Sequence, residues 1–242
     1  MEAFKLKGYG RIGVGRYKLL NYTIEITDFN GEGIKYARSE NGSILADSLV
    51  IGSHDVVIVP IYPVLVPKRI TEYVLVELDR KVNIAPRAET GFYVQIPIDI
   101  AVYAYKDRDF TILDLIPGYN PKYTLYGSPN EGIIARYIKT SIYNDEPKPE
   151  VGKAISLVRV HNKTREWVTL TKILLHSGNL RLYYEEGSWR ACVQELNVTI
   201  DSKSTASVAY GEVTCKGMKA LDDPPSLRPS RIVYKTNMLW GI

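Results

Sequence analysis

The chain has 242 residues, 45% hydrophobic and 24% charged, and its 31 basic and 27 acidic side chains leave a formal charge of +4. That is the make-up of an ordinary soluble globular protein of one or two domains, and so small a basic excess does not call for an acidic partner. The longest apolar run, residues 56–66, is too short to cross a bilayer and is interrupted by Pro60 and Pro63, so no membrane span is expected.

The amino terminus, MEAFKLKGYGRIGVG, shows no apolar block with a small-residue cleavage site, and the expected location is the cytoplasm. Lys5, Lys7, Arg11, Arg16 and Lys18 alternate here with Phe4, Tyr9, Tyr17 and Tyr22. Nucleic-acid binders use such a mixture, but alternation is also what a half-buried edge strand needs, and the second reading is preferred. Gly8, Gly10 and Gly13 match the spacing of a dinucleotide fingerprint. No helix follows to hold a phosphate, so these glycines read as a turn or bulge, and no cofactor is expected.

Apolar residues then recur at every second position, the period of a strand with one buried face. Strands are expected at residues 4–7, 22–28, 34–38, 56–66, 70–78 and 92–105, with Asn30-Gly31 and Asn41-Gly42 as hairpin turns. Residues 110–116, 122–126 and 133–143 continue the pattern. The polar stretch NDEPKPEVG at 144–152 reads as a connector and divides the chain into an amino-terminal β domain, residues 1–146, a sandwich or a flattened barrel, and a carboxyl-terminal β-sandwich, residues 152–242. Six or seven strands are expected in the second part: 155–161, 167–176, 180–185, 190–200, 205–215 and 231–236. The fold class is therefore all-β, two β-sandwich-like domains, the second immunoglobulin-like in strand count. The proline-rich stretch 222–229 reads as a stiff crossover, and the tail Met238-Leu239-Trp240 as an end that packs on the body or on a second subunit.

Recognisable chemistry is sparse. His54, His161 and His176 are scattered, and with Cys192 and Cys215 they form no readable metal spacing, so no metal is expected. Cys192 reads as a small buried hydrophobe; a disulfide to Cys215 becomes available if the source is heat-adapted, which the scarcity of Gln, His, Met and Cys hints at. Glu77, Asp79, Asp99 and Asp114 could serve acid–base cleavage of a glycan if two of them met in a cleft, although outward-facing strand carboxylates are the simpler reading.

The 18 tyrosines are an excess, and tyrosine suits both a wet sheet edge and a recognition surface. Strand parity sets Tyr123 with Leu125 on one face of residues 122–126, and Lys122, Thr124 and Tyr126 on the other. Tyr126 is then the surface candidate; with Arg136 beside it if the two strands pair, and with Lys122, it makes the candidate binding patch.

The stretch Ile96-Pro97-Ile98-Asp99-Ile100-Ala101-Val102, together with Lys122-Tyr-Thr-Leu-Tyr126-Gly127 and Gly132-Ile-Ile-Ala-Arg136-Tyr137, resembles the archaeal domain-of-unknown-function family 432. The resemblance covers nearly the whole chain. It implies an archaeal, mostly β protein and transfers no catalytic or cofactor-binding residue. The preferred function is therefore non-catalytic: binding of a protein partner, or self-association, through sheet edges and the tyrosine-bearing face. The alternative is a carbohydrate-binding or carbohydrate-active protein with strand-borne carboxylates in a tyrosine-lined cleft.

Overall fold

The computed structural model describes residues 3–52, 55–63, 69–106, 109–202, 205–212, 215–221 and 236–239. His54, residues 64–66, the stretch 222–229, residues 231–235 and Trp240 lie outside them. In chain order the strands are β1 (Phe4–Lys5), β2 (Gly10–Ile12), β3 (Gly15–Leu19), β4 (Tyr22–Phe29), β5 (Gly33–Glu40), β6 (Ser43–Ile51) and β7 (Asp55–Ile61). Then come β8 (Tyr73–Ile84), β9 (Glu89–Pro97), β10 (Asp99–Lys106), β11 (Asp109–Ile116), β12 (Lys122–Tyr126), β13 (Ile133–Thr140) and β14 (Lys153–Asn162). The last are β15 (Val168–His176), β16 (Leu182–Tyr184), β17 (Ala191–Val193), β18 (Leu196–Ile200), β19 (Thr205–Tyr210), β20 (Lys219–Ala220) and β21 (Thr236–Leu239). Among the described residues the one helical element is a 3-10 turn, Ser177–Asn179, after β15, so the protein is all-β as its periodicity demands.

These strands form four sheets, ordered β1-β3-β4-β5-β6, β11-β10-β7-β2, β12-β13-β8-β15 and β20-β16-β17-β14-β18-β19-β21, with β9 paired to β14. Residues from all four contribute to a single continuous apolar core. Backbone pairing runs across the polar stretch 144–152. There β9 lies antiparallel to β14, β8 lies antiparallel to β15, and the buried Asn162 side-chain amide donates to the carbonyls of Ile84, Ala85 and Glu166. Residues on either side of the expected connector thus complete one another's sheets. Parallel pairs also occur, β14 with β18 and β8 with β13, which hairpin connections cannot make.

The apolar run at 92–105 is not one strand with a wet face. It breaks at Ile98, passing from β9 beside β14 to β10 between β7 and β11, and Gln95 and Asp99 are buried along with their apolar neighbours. The corner is built on backbone contact. A Cβ on Gly118 would lie 2.0 Å from the Ile98 carbonyl and 2.7 Å from the Cα of Gly152, itself at φ +75°.

The amino-terminal glycines serve the same purpose. A Cβ on Gly8 would lie 2.1 Å from the Ser188 nitrogen, and Tyr9 exchanges backbone hydrogen bonds with Ser188 and Gly187 while its ring packs edge-on against Tyr184 and Trp189. Their spacing is that of a docking turn. Cys192 of β17 and Cys215 are joined in a disulfide across 23 positions.

Candidate functional site

The β12–β13 hairpin carries the residues singled out from sequence. Gly127, at φ +102°, starts its turn, and the Glu131 amide donates to Ser128 Oγ inside it. The register sets Lys122 opposite Tyr137, Tyr123 opposite Arg136 and Tyr126 opposite Ile133. The two strands do pair, but Tyr126 and Arg136 fall on opposite faces, and the aromatic ring beside the guanidinium is that of Tyr123, 5.9 Å from its centre.

Arg136 points into the protein. It is 0% exposed, as is Asp99 of β10, whose Oδ2 accepts from Arg136 Nη1 at 3.2 Å while Oδ1 accepts from the Gly118 amide at 3.3 Å. A charge taken wholly out of water has to be paired and hydrogen-bonded, and this pair ties the β12–β13 sheet to the β10 sheet. Tyr119 sits in the same interior, where burial pushes its phenol up to about 12 and the Arg136 charge pulls the other way.

The opposite face of the hairpin is wet and concave. A cavity of about 210 Å³ is lined by Leu75, Glu77, Thr124, Tyr126, Tyr137 and Lys172, with Lys122 exposed on the strand that forms its rim. Glu77 Oε2 and Lys172 Nζ stand 3.9 Å apart. The Tyr137 phenol is pushed up by partial burial and by the neighbouring Glu77 charge.

The four acidic residues considered for glycan cleavage each lie beside a cation. Glu77 faces Lys172, Asp79 faces Arg80, Asp99 holds Arg136, and Asp114 holds Arg38. Glu77 lines the concavity without a second carboxylate, while Asp99 and Asp114 are buried. His176 is also committed: Nδ1 accepts from the Gly178 amide at 3.2 Å, and Nε2 lies 3.0 Å from Glu72 Oε2. Among the described residues no group of three His, Cys, Asp or Glu side chains is arranged to hold a metal.

A feature that sequence inspection missed lies on β6, which ends the first sheet. Ile44, Leu45, Leu49 and Ile51 are 67%, 49%, 52% and 59% exposed there, and among the described residues no strand pairs with its outer edge. A bulge at Leu45, opposite Arg38 and Ser39, leaves Ile44 and Leu45 both exposed, whereas from Ala46 onward exposure alternates and Leu49 and Ile51 face out together.

The fold and these surfaces define an all-β protein with its charges neutralised inside and apolar groups displayed at one sheet edge. The chain belongs to the protein family of unknown function DUF432, whose model matches residues 8–239. Searches of curated proteins and of solved structures found no match. Among the described residues no helix is long and apolar enough to cross a membrane.

Proposed function

We propose that this protein acts by binding rather than catalysis, and that its primary contact is with a second copy of itself along β6. The observation that carries this reading is the nine-residue edge strand with four exposed large apolar side chains. An unpaired strand edge offers a row of backbone donors and acceptors that only another extended segment can satisfy, and flanking apolar groups add burial. Proteins that keep such edges monomeric place charges on them. The only charge on β6 is Asp47, and Lys35 of the neighbouring strand compensates it at 3.6 Å. Two copies can therefore approach antiparallel without confronting bare like charges, setting Leu49 and Ile51 of one against the same residues of the other.

One strand pair buries less than the roughly 1,600 Å² of a standard interface, so the affinity should be on the order of micromolar. Light scattering over a dilution series is expected to show a dimer that dissociates on dilution. The double variant Leu49→Lys with Ile51→Lys should be monomeric with an unchanged thermal midpoint. A wild-type monomer at about 100 µM, or a double variant that still dimerises, would overturn the reading.

A further inference from the structure

The geometry points to a second, independent binding site: the concavity on the outer face of the β12-β13-β8-β15 sheet takes a neutral, polyhydroxylated ring, the chemical class of a single sugar unit. Three observations carry it. The cavity, about 210 Å³, lies below the usual range for drug-sized or nucleotide ligands, roughly 300–1,000 Å³, so it suits one small ring.

Its walls combine the two surfaces a sugar presents. Tyr126, Tyr137 and Leu75 supply aromatic and apolar area for the C–H face of a ring, while Thr124, Glu77 and Lys172 supply a hydroxyl, an acceptor and a donor for its rim. Glu77 and Lys172 are directly opposite in register yet stand at 3.9 Å, well beyond the ~2.8 Å of a closed charge-assisted hydrogen bond. A ligand hydroxyl can donate to the carboxylate and accept from the ammonium across that gap. Because the two charges compensate each other, an ionic ligand would have to break the pair, whereas a neutral one need not.

The third observation is in the backbone. The β8–β15 ladder is interrupted between Leu170 and Lys172, where β8 advances from Val82 to Glu77, and pairing resumes on the residues that line the cavity. Ladder irregularities of this kind re-aim side chains and concentrate at functional sites.

Saturation-transfer NMR of the full chain with glucose, galactose and mannose as probes tests the proposal. At least one hexose should bind with a dissociation constant on the order of 1–10 mM, since only a few contacts are made. Tyr126→Ala should weaken binding by about tenfold or more, and Glu77→Gln by a similar factor, with the unfolding transition of each unchanged. Tyr137→Phe, which keeps the ring and removes its hydroxyl, serves if either variant fails to fold, and should cost a few-fold, roughly. Absence of saturation by all three hexoses at about 100 mM overturns the assignment. So does stronger binding of glycine or phosphate than of any hexose, or binding that all the variants leave intact. The dimer test does not involve this face, so either proposal can fail alone.

Discussion

Two buried arginine–aspartate pairs hold the sheets together, and they are built differently. Arg136 and Asp99 are 0% exposed, and the ring nearest the guanidinium is Tyr123 at 5.9 Å. Arg38 and Asp114 keep 10% and 6% of their side-chain surface in contact with solvent. There the carboxylate takes Arg38 Nε and Nη2 together with the Tyr36 hydroxyl, and Tyr22 covers the guanidinium at 4.6 Å. The first pair is wholly dry; the second is wetter and shares its carboxylate with the Tyr36 hydroxyl. The same two residue types therefore carry different risks, because the penalty for an orphaned charge is set by what can replace the missing partner.

The sharpest way to break the comparison is to remove one carboxylate at a time. Asp99→Ala leaves the Arg136 charge inside the protein without its counter-ion and should lower stability by about 3–5 kcal/mol in urea unfolding. Asp114→Ala should lower it by roughly 2–3 kcal/mol, because Arg38 keeps a path to water and the face of Tyr22. Replacing whole pairs by apolar groups reverses the balance. Arg38→Met with Asp114→Leu still strands the buried Tyr36 hydroxyl and should remain destabilised by about 1–2 kcal/mol. Arg136→Met with Asp99→Leu removes both charges at once and should come within about 1 kcal/mol of the parent, the Gly118 amide being part-buried.

The smallest effect is a pH dependence. The Tyr119 phenol, near Arg136, ionises at about 12 when folded and near 10 when unfolded, so the folded state holds its proton longer. Its contribution is complete below pH 10 and fades as pH rises toward 12. Tyr119→Phe should make the thermal midpoint fall less steeply between those values, by the share of one phenol among the buried tyrosines. Tyr36 should add a slope of the same sign that persists beyond pH 12, since burial and the Asp114 carboxylate keep its hydroxyl protonated in the folded state while the unfolded phenol ionises near 10.

Period-two alternation in the sequence made the strand class legible, and it gave residues 122–126 as the strand observed. The candidate site was legible only in part. Strand parity correctly separated Tyr123 from Lys122 and Tyr126, but which face would be wet depended on another sheet, and it was β10, bearing Asp99, that drew Arg136 inside. Gln95, on a strand expected to have one wet face, is buried and donates to the Lys148 carbonyl. Strand β6 escaped notice because a bulge at Leu45 and contiguous apolar runs at 44–46 and 49–51 hide the polar–apolar alternation that marks a strand. Glu77 and Lys172 lie 95 positions apart, and nothing local to either signals the register that joins them.

The pairing of β8 with β15 and of β9 with β14 has a consequence for how the chain is made. Synthesis delivers residues 73–97 to the outside of the ribosome well before residues 153–176, a delay of several seconds at about 5–20 residues per second. During that interval two long strands wait with raw flanks and greasy surfaces, a natural target for holding chaperones. A fragment ending at residue 146 would be trapped in that unfinished condition, so a premature stop near the middle should yield aggregate rather than a working half.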